Sequence, residues 1–106
     1  MEYIGNILYD KQLYDGIPIV IYGAGGAGKK IIEFIRNNEC GDDIKCICDK
    51  NSELWGKQRE GINIMSPKDA ADKYRDAHFL ICGKYADEML KELIAIKVSK
   101  IHLVFC

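Results

Sequence analysis

The chain of 106 residues has no excess of charge of either sign, because its 15 Lys and Arg residues are balanced by 16 Asp and Glu residues. It also has no basic tract, no signal peptide, and no apolar run of the roughly 20 residues that a membrane-spanning helix needs. The balanced charge and the lack of a basic tract argue against an electrostatic nucleic-acid surface. We therefore expect no nucleic-acid partner, no membrane span in this chain and a cytoplasmic location.

Cysteine motifs are missing too, since the five cysteines are an odd number and form no C-x-x-C pair. Cys46 and Cys48 lie two residues apart in an apolar run, so both side chains point to one face of a strand. His78 and His102 open apolar runs and have no partner at metal-ligand spacing. We expect reduced core cysteines, strand-edge histidines and no metal site.

The chain is too short to combine a cofactor domain with a separate substrate domain. We expect a single domain over residues 17–106. Residues 1–16 are too apolar for a free tail, and we expect them to pack as a helix or strand on the domain or on a partner. A homo-oligomer and an additional domain in a parent protein both stay open.

The strongest feature that is present is the apolar run Ile19–Tyr22, which leads directly into G-x-G-x-x-G and then into an amphipathic helical pattern. In this fingerprint Gly23 turns the chain, Gly25 lets a pyrophosphate approach the backbone, and Gly28 allows close packing of helix and strand. Phosphates would rest on the N–H groups at the helix N-terminus. The predicted cofactor-binding loop consists of Gly23, Ala24, Gly25, Gly26, Ala27 and Gly28.

A second strand, from Ile44 to Cys48, ends at Asp49, about 20 residues beyond the last glycine, where the fingerprint has an acid. A carboxylate there can accept both ribose hydroxyls and would repel a 2′-phosphate, which favours NAD over NADP. The neighbouring Lys50 weakens that preference, because a cation tolerates the extra phosphate. The alternative for Asp49 is an ordinary acid at a strand exit.

Three more strands are predicted at 62–65, 78–82 and 101–105, and Ser66 caps the helix that follows the first of them. The stretch 51–61 is predicted to be irregular. Strands alternating with helices indicate an α/β fold. We expect a Rossmann-like, doubly wound parallel sheet of five strands in the order 3-2-1-4-5, within three αβα layers.

In such a sheet the ligand crevice lies at the carboxyl ends of strands 1 and 4, where the strand order reverses. The residues expected to join the glycine loop there are Cys82, Gly83 and Lys84. Gly83 would permit close passage of the ligand, and Lys84 could reach a phosphate. The alternative is a plain strand-to-helix turn with a solvated lysine.

Residues 17–105 resemble the small NAD- or CoA-binding Rossmann domains at the front of bacterial polysaccharide-biosynthesis and nucleotide-sugar epimerase/dehydratase proteins. Beyond the glycine fingerprint, the matching stretches are Ile47-Cys48-Asp49-Lys50-Asn51, Leu54-Trp55-Gly56-Lys57, Gly61-Ile62-Asn63-Ile64 and Met65-Ser66-Pro67. The resemblance implies a nucleotide-containing ligand: NAD(H) in first place, with NADP, CoA or a nucleotide sugar as alternatives.

Catalytic relatives carry a Tyr-x-x-x-Lys pair, and this chain has none. We find no nucleophile-base set, so no catalytic residue is predicted and enzyme activity is left open. The first hypothesis is a dinucleotide-binding cofactor or sensor domain of a larger polysaccharide or nucleotide-sugar biosynthesis protein. The second is a fragment of an NAD-dependent epimerase/dehydratase-like oxidoreductase, and the third is a structural domain without ligand.

Overall fold

A computed structural model of the chain describes residues 2–3, 18–37, 44–81 and 83–104. Most of the predicted extension 1–16 therefore lies outside the described residues, as do Cys40, Cys82 and Cys106. The conclusions below concern the described part.

The core of the fold is one seven-stranded sheet. Its strands are β1 (Glu2–Tyr3), β2 (Ile19–Tyr22), β3 (Ile44–Cys48), β4 (Gln58–Arg59), β5 (Ile62–Met65), β6 (His78–Ile81) and β7 (Ile101–Leu103). Their order is β1-β7-β6-β2-β3-β5-β4. All neighbouring strands pair in parallel except β4 and β5, which are antiparallel. The central order β5-β3-β2-β6-β7 confirms the predicted 3-2-1-4-5 arrangement, and β1 and β4 extend it at the two edges.

Within the described residues three α-helices cover the sheet: α1 (Gly26–Asn37), α2 (Pro67–Lys73) and α3 (Ala86–Ala95). The apolar stripe of α1 packs with the β2 side chains Ile19 and Ile21. The alternate β2 side chains, Val20 and Tyr22, point to the other face and pack with residues of α2 and α3. Right-handed crossovers explain this division, because the connection direction reverses after β5. We call the two sides the α1 face and the α2/α3 face.

Strand β2 is buried on both faces, as expected for a central parallel strand, and all four of its residues are apolar or aromatic. Cys46 and Cys48 both lie in the core of the α2/α3 face as free, buried thiols. Burial raises the pKa of the Cys46 thiol to about 12. These two cysteines are core residues, as the alternation of strand side chains predicts.

Helix α2 begins as its sequence predicts. The Ser66 hydroxyl accepts a hydrogen bond from the Asp69 N–H at 3.0 Å, and Pro67 occupies the first turn, where no N–H is needed. Such a cap stabilises a helix by about 1 kcal/mol. It sets the point at which the chain leaves β5 for the α2/α3 face.

The connection between β3 and β5 contains no α-helix. It is a short 3₁₀-helix, Ser52–Leu54, followed by a hairpin of β4 and β5. Glu60 (φ +53°) and Gly61 (φ +77°) are its two turn residues, and two positive φ angles are the signature of a type I′ turn. The stretch predicted to be irregular thus includes ordered strand pairing.

The two histidines form a pair. His78 begins β6, and its Nδ1 lies 2.6 Å from Nε2 of His102 in β7, with the rings stacked. His102 is only 1% exposed, so the prediction of a strand-edge position is wrong for this residue. Its place between two paired strands, not its position in the sequence pattern, buries it. In the described part of the chain no group of three or more His, Cys, Asp or Glu residues could hold a metal ion.

Candidate functional site

The glycine loop leaves β2 in a backbone conformation that requires glycine. Gly23 has φ +114°, and its N–H donates to the Cys48 carbonyl at 2.8 Å. A Cβ on Gly28 would lie 2.1 Å from the Gly23 carbonyl oxygen. A side chain at Gly28 is therefore incompatible with the seating of α1 on the turn, as the fingerprint predicts.

Gly25 differs from Gly28, because a Cβ built on it would meet nothing within 4 Å. The first turn of α1 carries no acidic side chain. Its first N–H groups have no acceptor within the helix, and the helix dipole adds positive potential there. Open space beside Gly25 and donor groups behind it form a cradle that suits a phosphate.

Asp49 secures this loop to the end of β3. Its Oδ2 accepts from the Ala24 N–H at 3.0 Å, and its Oδ1 accepts from the Asn51 N–H at 2.8 Å. The indole N–H of Trp55 donates to the Asp49 carbonyl at 2.6 Å. The predicted ribose acceptor therefore also holds the backbone of the glycine loop, through a contact 25 residues apart in sequence.

A cleft of about 340 Å³ opens on the α1 face beside the loop. This glycine-loop cleft is lined by Gly23, Ala24, Gly25, Gly26, Lys29, Ile32, Ile47, Arg59 and Glu60. Arg59 pairs with Ile62 across the hairpin, so its side chain shares the α1 face with that buried isoleucine. The hairpin closes one side of the cleft, because Arg36 donates to the Glu60 carbonyl at 2.5 Å.

A second, smaller hollow of about 140 Å³ lies on the α2/α3 face. This tyrosine hollow is lined by Tyr22, Asp49, Lys50, Tyr85, Glu88, Met89 and Glu92. The Tyr22 hydroxyl donates to Glu92 Oε2 at 2.6 Å. Burial, followed by this hydrogen bond, raises the pKa of the Tyr22 phenol well above its usual value, so the phenol stays a donor.

The other predicted site residues are distributed around this edge of the sheet. Ala27 lies next to Gly83, since a Cβ on Gly83 would be 3.6 Å from that of Ala27. Lys84 is exposed, with its Nζ 5.2 Å from the centre of the Tyr85 ring. Lys50 pairs with Glu88 at 3.3 Å. Cys82 lies outside the described residues.

Sequence reasoning missed several lining residues. Lys29, Arg59 and Glu60 of the cleft were not predicted, because Glu60-Gly61 is not one of the Asn-Gly, Asp-Gly or Gly-Gly pairs that signal a two-residue hairpin turn. Tyr22 and Glu92 of the hollow meet across 70 residues of sequence. No local sequence pattern predicts a contact between residues that are 70 positions apart.

A family described as C2185-like, N-terminal matches residues 17–104. The chain belongs to this family. No curated protein sequence is similar enough to the chain to count as a relative. The C2185-like N-terminal match spans the entire region from β2 to the end of β7.

Solved structures resemble the C2185-like domain in fold. A crystal structure of RSP, a Rex-family repressor, matches 90% of this chain and 49% of its own with a TM-score of 0.66 and 20% identity. RSP in complex with beta-NADH matches 84% and 46%, with a TM-score of 0.62 and 20% identity. RSP with beta-NAD⁺ and operator DNA matches 85% and 45%, with a TM-score of 0.60 and 21% identity. The chain thus spans about half the length of these structures, and the likeness establishes a Rossmann-like fold.

One expectation is corrected by these comparisons. The exclusion of nucleic acid is wrong, because a protein of this fold occurs in complex with operator DNA. Charge balance failed as an argument since it describes 106 residues, whereas the RSP chains are about twice as long. In the described part of the chain, no helix has the length and apolar character needed to cross a membrane.

Proposed function

We propose that this domain binds NAD(H), with the pyrophosphate on the glycine loop and the adenosine half in the glycine-loop cleft. The observation that carries the proposal is the open cradle at Gly25, which lies at the N-terminus of α1 and is secured by Asp49. The NADH and NAD⁺ complexes of RSP support the choice of dinucleotide.

The lining of the cleft suits an adenosine diphosphate group. Ile32 and Ile47 supply an apolar floor for a purine, and the cations of Lys29 and Arg59 lie where they can balance phosphate charge. Lys29 is only weakly engaged otherwise, at 3.9 Å from Glu60. Gly83 and Lys84 would border the ligand from the neighbouring strand, as predicted for this crevice.

Asp49 can hold the loop and the ribose together. A carboxylate offers about four lone-pair positions, and backbone N–H groups use two of them. The remaining positions can accept ribose hydroxyls, while the negative charge disfavours a 2′-phosphate. Lys50 is drawn towards Glu88, which reduces its ability to neutralise such a phosphate. We therefore favour NAD over NADP.

The decisive experiment is isothermal titration calorimetry with NAD⁺, NADH, NADP⁺, CoA and UDP-sugars, repeated on Gly25→Val. A Cβ at position 25 meets nothing within 4 Å in the unliganded fold, and the valine side chain would occupy the phosphate cradle. We expect at least a hundredfold loss of NAD(H) affinity with unchanged urea stability. Ala95→Val, which places the same valine side chain at an exposed position of α3, is the control. Full NAD(H) affinity in Gly25→Val would refute the proposed site.

Asp49→Asn tests the proposed role of Asp49 in binding the ribose. The amide cannot accept from both backbone N–H groups, so we expect weaker binding of every dinucleotide and a smaller preference for NAD⁺ over NADP⁺. An unchanged NAD⁺/NADP⁺ ratio would show that Asp49 is a loop clamp alone.

Two different observations favour two different roles for this domain within a longer protein. The operator-DNA complex of RSP favours a nucleotide-responsive DNA-binding protein. The stretch from Leu54 to Pro67 favours the polysaccharide or nucleotide-sugar setting, through the sequence resemblance described above. A gel-shift assay of the full-length protein with genomic DNA fragments, with and without NADH, separates them, because only the first setting produces a shift.

A further inference from the structure

Asp49 lies between the two cavities of the site. Its Oδ2 accepts from the N–H of Ala24, which lines the glycine-loop cleft, and Asp49 itself also lines the tyrosine hollow. A ribose that binds to Asp49 from the cleft therefore directs its hydroxyls towards the hollow. Any group attached to the 2′-oxygen of that ribose would meet the charges around the hollow.

The charges around the hollow are mainly negative. Three carboxylates line it, those of Asp49, Glu88 and Glu92. Lys50 is the one lysine or arginine in its described lining. The carboxylates outnumber the cations even when Lys84, which lies over the ring of a tyrosine in the lining, is counted. A 2′-phosphate adds about −1.5 to −2 charges at neutral pH, so it is repelled here unless a cation neutralises it.

Lys50 is the cation best placed to neutralise such a phosphate, because it directly follows Asp49. Dinucleotide-binding domains that accept a 2′-phosphate have an arginine near this position. The Nζ of Lys50, however, lies 3.3 Å from Oε2 of Glu88. Glu88 belongs to α3, which follows β6, whereas Lys50 follows β3, and β2 lies between these two strands. The ion pair thus spans the carboxyl end of β2, where the glycine loop begins.

We propose, resting on NAD(H) binding as the function, that Glu88 is a second specificity-determining residue, which excludes NADP by occupying Lys50. Asp49 selects the free ribose hydroxyls, and Glu88 withholds the cation that would compensate a phosphate in their place. The two side chains of the ion pair are 66% and 65% exposed, so the pair contributes little to folding. Its effect is on the choice of ligand.

The test is the ratio of the dissociation constants of NADP⁺ and NAD⁺, measured by calorimetry at low salt for the wild type, Glu88→Gln and Glu88→Lys. Glutamine keeps the size of the side chain and removes its charge, whereas lysine reverses the charge. We expect Glu88→Gln to reduce the preference for NAD⁺ roughly fivefold and Glu88→Lys roughly tenfold. Both changes should shrink in about 0.5 M salt, because salt screens exposed charges and would not alter a purely structural effect.

The variant Lys50→Gln tests whether Glu88 acts through Lys50. On this background Glu88 has no lysine to occupy, and only its direct repulsion of the phosphate is left. Adding Glu88→Gln should then change the ratio about twofold at most, since the charge is exposed and screened. The full fivefold change on the Lys50→Gln background would overturn the proposed route.

The matched control is Glu33→Gln, the same change on an exposed position of α1 outside both cavities. It should leave the ratio close to that of the wild type. The inference is overturned if the wild type binds NADP⁺ as tightly as NAD⁺ or more tightly, or if Glu88→Gln keeps the wild-type ratio. Absence of binding to both NAD⁺ and NADH would instead refute the proposed function, so the two failures are distinguishable.

Discussion

Among the described residues, the α2/α3 face carries two helices over the central strands and the α1 face carries one, while the hairpin of β4 and β5 extends the edge of the sheet. Both faces use the same strands, with alternate side chains pointing each way. The difference arises from the connection between β3 and β5, which contains no α-helix. In the described part of the chain, the face with the single helix holds the glycine-loop cleft beside the helix N-terminus, and this cleft is the larger of the two cavities described here. The face with two described helices holds the smaller tyrosine hollow, and the face with one described helix holds the larger cleft.

The sharpest test of this comparison is a matched pair of core truncations. Ile81 and Ile47 are both fully buried, but Ile81 lies in the α2/α3 core, and Ile47 also lines the cleft. We expect Ile81→Ala to lower the free energy of unfolding by about 4 kcal/mol and Ile47→Ala by about 2 kcal/mol, because the cleft already limits packing around Ile47. Urea denaturation measures both. Equal losses would mean that the two faces are packed alike.

The seating of α1 is tested by Gly28→Ala. An added Cβ would collide with the Gly23 carbonyl, so we expect a loss of about 3 kcal/mol in unfolding free energy. Gly26→Ala is the control, because its Cβ meets nothing within 4 Å and alanine favours the helix. Its stability should stay within about 0.5 kcal/mol of the wild type. A harmless Gly28→Ala would contradict the close packing of helix and turn.

The packing of the α2/α3 face around Cys46 can be tested at alkaline pH. Its pKa is about 12 in the folded protein against 9.0 for an ordinary thiol, so the folded state retains the proton longer than the unfolded state. The stabilisation that comes from the raised pKa of the Cys46 thiol is complete below pH 9 and is lost as the pH rises towards 12. The stability difference between the wild type and Cys46→Ala should therefore fall by about 1.4 kcal/mol between pH 8 and pH 10, measured by urea denaturation. A constant difference would show that the α2/α3 core admits water at Cys46.

The smallest expected effects on stability come from removing one contact on each face of the sheet. Ser66→Ala removes the cap of α2 and should cost about 1 kcal/mol. Arg36→Gln weakens the exposed contact between α1 and the hairpin and should cost about 0.5 kcal/mol or less. Thermal unfolding of both variants measures the difference. A larger loss for Arg36→Gln would show that the hairpin stabilises the fold as much as a capped helix does.

Local patterns in the sequence were sufficient for much of this architecture. The apolar run at β2, the glycine spacing and the Ser66-Pro67 signal each act within a few residues, and the strand order follows from crossover handedness. Strand β5 was predicted, but its hairpin partner β4 escaped prediction because it is only two residues long. The burial of His102 was missed since it depends on the neighbouring strand.

The candidate site also contains some residues that the sequence predicted and others that it could not predict. The glycine loop and Asp49 could be found from sequence, because the fingerprint has a fixed spacing. Arg59 and Glu92 could not, since each reaches its cavity through a hairpin or a helix whose placement depends on tertiary packing.

By itself, the sequence determined the fold class, the strand order of the central sheet and the position of the glycine loop, because these depend on side-chain periodicity and on backbone conformations that only glycine adopts readily. Only the tertiary structure decided that Asp49 clamps the loop, that the cleft opens on the α1 face, and that Tyr22 and Glu92 form a second hollow. These features are contacts between distant segments, and they exist only once the crossovers have brought those segments together.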